Sequence, residues 1–196
     1  MALMLGGAGG VWATVLESAS PRAAVVDAID DAVSILHDTS IPVEKRRREL
    51  RSLAQRDLDL ARMSAEVLGK HWVEMTPAQQ RQFVPLFEAF IESAYLGEIH
   101  QYSKLKIQVG AAKSQSPDYA SVDATVLQPG EDPIEIKFLL EHTPGGWLMY
   151  DVVVDDIGMV ENYRAQFDRV IRTRGLSRLE AELRIKQAKL DALLGN

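Results

Sequence analysis

Four histidines, a complete lack of cysteine and one carboxylate set in an apolar strand decide what chemistry this chain could do. His37, His71, His100 and His142 fall in four separate stretches with no His-x-x-x-His spacing, so no two share a helix face as zinc ligands would. They read as surface or capping residues. Without cysteine, thiol catalysis and zinc–cysteine sites are excluded. No Gly-x-Ser-x-Gly elbow supports a serine nucleophile. The run Gly6-Gly7-Ala8-Gly9-Gly10 lacks the Lys-Ser/Thr of a phosphate loop and follows no strand. Asp151 is the residue that invites an enzymatic reading. By alternation it shares a face with Trp147, Met149 and Val153. If that face points inward, desolvation would raise the carboxyl pKa and make it a base. The competing reading is a carboxylate bonded to backbone or to Arg164 near the strand end, and it is preferred because an inward charge is normally paired.

The elements that would position these residues follow from periodicity. Val25, Ile29, Ala32, Val33 and Leu36 recur at helical spacing behind a Ser20 cap and Pro21. Pro42 opens a second helix, in which Leu50, Leu53 and Ala54 oppose the basic run Lys45, Arg46, Arg47, Arg48 and Arg51. That run reads as a solvated face with Glu44 and Glu49 as intrahelical partners. The pattern slips at Asp57–Asp59, and a shorter helix from Leu60 ends at Gly69. Thr76-Pro77-Ala78-Gln79 forms a capping box. The helix it starts carries Phe83, Phe87, Phe90, Ile91, Ala94 and Tyr95 on one face, broad enough to cover a sheet.

After Tyr102 the period changes to two. Leu105–Val109, Val122–Val126 and Ile134–Leu140 alternate apolar with polar, and Trp147–Val154 supplies a fourth strand. Ser116-Pro117-Asp118, Pro129-Gly130 and Pro144-Gly145-Gly146 are the turns of an antiparallel meander. A helix over Gly158–Arg172 and a last one carrying Leu176, Leu179, Leu183, Leu190 and Leu194 complete an α+β chain. At 196 residues and without a linker, residues 21–196 read as one domain. The net charge of −6 argues against a general nucleic-acid binder, whose affinity comes from Lys and Arg. Met1–Val11 is small and apolar, and Val11-Trp12-Ala13 satisfies the small-x-small cleavage rule. Residues 1–20 therefore read as a signal-peptide remnant, the alternative being a disordered Gly-rich leader. No other apolar run approaches the ~20 residues of a membrane span.

Two blocks resemble one known family. Trp147, Met149, Asp151 and Val152, followed by Asn162, Tyr163, Arg164 and Phe167, are similar to the strand-and-helix signature of the MlaC or toluene-tolerance auxiliary proteins. Val67-Leu68-Gly69-Lys70-His71-Trp72, then Thr76-Pro77, Gln80, Phe83 and Phe87, match in order and spacing. The resemblance covers roughly Pro21 to Leu194. Gly158 stands where the family more often has Ser, a departure that bears on the local cap and not on the fold.

The resemblance implies a curled four-stranded sheet in a nuclear-transport-factor-like cone, with an apolar cavity between sheet and helices. The helices would line it with Leu68, Trp72, Phe83, Phe87, Phe90, Ile91, Tyr95, Val160, Tyr163 and Phe167. The strands would contribute Ile107, Val109, Val122, Ala124, Val126, Ile136, Phe138, Leu140, Trp147, Met149 and Val153, provided that each apolar face points toward the helices. It also implies a periplasmic carrier of phospholipid, with the lipid as cargo and no cofactor. Its partners would be an outer-membrane lipoprotein complex and an inner-membrane ABC transporter, and the process served is outer-membrane lipid asymmetry. A hopanoid or other polycyclic lipid is an alternative cargo. An isomerase or hydratase using Asp151, and an interaction module with a fully packed core, are the alternatives of other classes.

Overall fold

The computed structural model describes residues 20–102 and 105–194, with side chains left out at 93, 95–102, 190, 191, 193 and 194. The leader, Tyr95, His100, Leu190 and Leu194 therefore lie outside what is described. Helix α1 (Pro21–His37) starts where Ser20 Oγ accepts from Ala23 N at 3.1 Å. α2 (Val43–Asp57) follows Pro42, and α3 (Leu60–Leu68) is capped by Asp59, whose carboxylate accepts from Arg62 N at 2.8 Å. Gly69, at φ +53°, turns the chain into the short α4 (Lys70–Glu74), a helix that periodicity does not separate from its neighbours. The capping box then starts α5 (Pro77–Tyr102): Thr76 N donates to Gln79 Oε1 at 2.9 Å and Gln79 N to Thr76 Oγ1 at 3.3 Å.

β1 (Lys106–Ser116), β2 (Tyr119–Leu127), β3 (Ile134–Thr143) and β4 (Gly146–Val154) form the expected antiparallel meander. The sheet has five strands, not four. Asp155 and Asp156 both take positive φ, 46° and 64°, and make a two-residue hairpin turn that returns β5 (Ile157–Gly158) to pair with Val153 and Val154. β1 and β5 are separate edges, so the curled sheet does not close. α6 (Met159–Arg174) and α7 (Leu176–Leu194) follow.

Two hydrophobic cores result among the described residues. One is helical, built by α3, α5, α6 and α7 around Met63, Phe83, Phe87, Phe90, Phe167 and Leu183. The other lies between α1 and the sheet, where Val25 packs on Val122, Leu140 and Met149. Leu58, between α2 and α3, packs against both. The aromatic stripe of α5 thus does not cover the sheet. Its partner is a second aromatic stripe, with Phe167 edge-on to Phe83 and Phe87 at 6.4 and 6.3 Å and Tyr163 edge-on to Phe90 at 5.1 Å. A helical stripe fixes which face is buried and leaves open what buries it.

Candidate functional site

Cross-strand pairing sorts the inner face of the sheet into rows. Val122, Phe138 and Val152 form one, and Ala120, Leu140 and Met149 another; Val25 of α1 packs on Val122, Leu140 and Met149. At the opposite end lie Ile107, Val126 and Ile134, then Val109, Ala124, Ile136 and Val154. Of these, Ile107, Ile134, Ile136 and Val154 are half-buried and, like Val152, packed in neither core. They make an apolar strip that the cores leave unused.

Strand β4 requires a correction. Leu140 pairs with Met149 but Leu139 pairs with Asp151, so a bulge at Tyr150 reverses the alternation. Asp151 and Val153 therefore do not share a face with Trp147 and Met149. Val153 pairs with Lys137 on the outer face, and the inward positions after the bulge belong to Val152 and Val154. Of the helical candidates, Leu68, Phe83, Phe87, Phe90, Ile91, Val160, Tyr163 and Phe167 are buried together in the helical core, with Trp72 half-buried against it. The structure places them in the helical core. Among the hollows of the described residues are one of about 330 Å³ beside Ala24, Asp27, Asp30, Asp31, Arg56 and Asp57 and one of about 240 Å³ beside Lys113, Asp123, Glu135, Ile136, Lys137, Val153 and Asp156. Both are rimmed by charge.

Asp151 is 9% exposed, and Oδ1 accepts from Val152 N at 2.8 Å and Val160 N at 3.1 Å. It is the cap of α6, delivered from β4, because Gly158 at the cap position has no side chain to offer. A Cβ on Gly158 would stand 3.0 Å from Asp151 Oδ2, so the glycine makes room for the carboxylate. Burial pushes the carboxyl above its ordinary pKa, against the pull of the Val160 and Val152 amides. The backbone half of the preferred reading holds. The Arg164 half does not, since Arg164 Nε donates to the Glu66 carbonyl at 2.6 Å instead.

A polar junction that periodicity does not reveal joins α3 to the sheet. The Arg62 guanidinium lies 3.7 Å from the Tyr150 ring centre and 5.3 Å from that of Tyr119, and pairs with Glu66 at 2.7 Å and with Glu141. His71 Nε2 lies 2.9 Å from Asp168 Oδ1, and Glu74, three residues on, is 3.8 Å from Nδ1. His37 and His142 are exposed. Among the described residues no group of three or more His, Asp or Glu side chains is placed to hold a metal, and no helix is long and apolar enough to cross a membrane.

Seven helices with an unclosed antiparallel sheet, and a strand-borne aspartate capping the helix that follows, make up the described residues. The profile of the MlaC protein family matches residues 26–185. The chain belongs to the MlaC family. A solved structure of the phospholipid-binding protein from Ralstonia solanacearum, in complex with a phospholipid, superposes with a TM-score of 0.76 at 24% identity. The match covers 88% of this chain and 99% of that one. What the likeness establishes is the MlaC fold, helices with an open antiparallel sheet.

Proposed function

We propose that this chain is a phospholipid carrier whose cargo tails lie on the apolar strip of the sheet. The observation that carries the reading is that Ile107, Ile134, Ile136, Val152 and Val154 present apolar surface that neither core uses. Family membership and the phospholipid held by the Ralstonia protein of the same fold support it. Each buried methylene of an acyl chain contributes about 0.8 kcal/mol, so tails supply the affinity and headgroups are tolerated. Asp151 serves this protein as a helix cap; the donors to it are backbone amides, which favours a carrier over an enzyme.

The shuttle role follows from the same chemistry. A protein that shields acyl chains from water serves two membranes separated by an aqueous space. We place it in the periplasm, exported by the leader at Met1–Val11, between an outer-membrane lipoprotein complex and an inner-membrane ABC transporter, where it maintains outer-membrane lipid asymmetry.

Native mass spectrometry of the purified protein, with extraction and identification of bound lipid, tests this. Two-chain phospholipid at near one per protein is expected, and a polycyclic lipid in its place would reassign the cargo. Protein that is empty and takes up nothing from phospholipid vesicles would overturn the carrier reading.

A further inference from the structure

Cations gather where α6 turns into α7. Arg172 and Arg174 stand in the last turn of α6, Arg178 in the first turn of α7, and Gly175 joins the two helices. α4 is held beside α6 by His71, whose Nε2 lies 2.9 Å from Asp168 Oδ1, and it adds Lys70, 3.4 Å from the same oxygen. The side chains of Lys70, Arg172, Arg174 and Arg178 are each more than half exposed, and Arg169 is exposed as well. The α6 dipole draws Arg172 and Arg174 to its C-terminal end. It does not account for Arg178, which sits at the positive end of the α7 dipole.

The carboxylates that answer these cations are shared. Asp168 serves both Lys70 and Arg172, at 3.4 and 3.5 Å, and Glu182 serves both Arg174 and Arg178, at 3.0 and 2.7 Å. Glu74 lies 3.8 Å from His71 Nδ1, and Glu180 is taken by Arg184 at 3.6 Å. This end of the helical body is therefore locally basic in a chain whose net charge is −6. It also carries apolar surface. Val73 follows Lys70 by three residues, which puts both on one side of the single turn of α4, and it is 83% exposed. Trp72 beside it is half-buried against the helical core.

We propose that α4 and the C-terminal end of α6, with the turn into α7, form a docking surface for an anionic lipid membrane. Guanidinium forks match lipid phosphates, each cation near an anionic bilayer adds to binding, and Val73 enters the headgroup layer. Screening confines the attraction to groups within about 8 Å of the bilayer, so the acidic remainder of the chain orients the molecule without cancelling the contact. The surface goes beyond the carrier reading, which requires a cargo site alone.

The full chain is floated with vesicles of phosphatidylcholine, with and without phosphatidylglycerol, at low and high salt. Binding is expected to the phosphatidylglycerol vesicles and to fall as salt rises. Arg169→Gln/Arg172→Gln should weaken it at least about tenfold, Arg169→Lys/Arg172→Lys should keep most of it, and Val73→Ser should weaken it several-fold. Lipid uptake, read by extracting the protein after the vesicles are removed, should be unchanged in all three variants. Wild-type protein that binds both kinds of vesicle alike would overturn the membrane assignment and hand the patch to an acidic protein partner. A glutamine variant that floats as well as wild type would overturn it too. Uptake by protein that never floats leaves the carrier reading standing, whereas flotation without uptake sinks that reading and keeps the docking surface.

Discussion

Replacing Asp151 with asparagine removes a charge but keeps an acceptor, which separates the two things this carboxylate does for the fold. Oδ1 serves Val152 N and Val160 N in a site that is 9% exposed. Asp151→Ala therefore loses a cap worth about 0.5–2 kcal/mol and strands a buried N–H at about 1–3 kcal/mol. Removal of a desolvated charge offsets part of this, so a net loss of roughly 2–3 kcal/mol is expected at neutral pH. Asp151→Asn should cost within about 1 kcal/mol there, because the amide oxygen can still accept. The pH dependence discriminates further. Burial holds the folded carboxyl above its ordinary value of 3.8, so the native state keeps its proton more tightly than the unfolded chain. The stability this contributes is fully present below the ordinary value and is lost as pH rises through the folded pKa. The D151N protein lacks this dependence, so its deficit relative to wild type should be largest under acid conditions and shrink toward neutrality. Urea unfolding of both proteins across pH 4–8 reads it directly. A deficit that grows with pH would mean that charge–dipole capping outweighs desolvation, and would refute the reasoning.

Three further substitutions probe the neighbouring devices. Gly158→Ala places a Cβ 3.0 Å from Asp151 Oδ2 and should cost about 1–2 kcal/mol, non-additively with Asp151→Asn, in a double-mutant cycle by urea unfolding. Phe87→Ala empties the centre of the helical core and should destabilise by about 3–5 kcal/mol in the same assay. Arg62→Ala frees Glu141 and unstacks Tyr150, with an expected loss of about 1–2 kcal/mol by thermal unfolding; Arg62→Lys should recover less than half, since it keeps the charge and loses the planar stack.

What the sequence displays depends on how local the cause is. The Ser20 cap, the Thr76–Gln79 box and the proline–glycine turns are set within a few residues, and each stands where the residues indicate. The fifth strand is too short for alternation to register, and only its Asp155–Asp156 turn leaves a trace. Val153 is misplaced by parity because β4 is apolar on both faces, which hides the Tyr150 bulge. The basic run of α2 reads as an intrahelical network, and Lys45–Glu49 at 3.7 Å is one such pair. Arg47 and Arg51 instead reach Glu92 on another helix, a pairing that no local spacing encodes. The same limit hid the partner of the Phe83–Phe90 stripe.

The helical core is assembled from both sides of the sheet in chain order. α3 and α5 precede the meander, while α6 and α7, which bring Phe167, Leu179 and Leu183, follow it. During synthesis the Phe83, Phe87 and Phe90 surface therefore emerges long before the surface that covers it. The hairpins between can form on local contacts, but the aromatic face must wait for nearly the whole chain. A nascent chain of this topology is thus an aggregation hazard until α6 and α7 arrive, and a holding chaperone would have its natural target on α5. Truncation inside α6 would leave that exposure permanent.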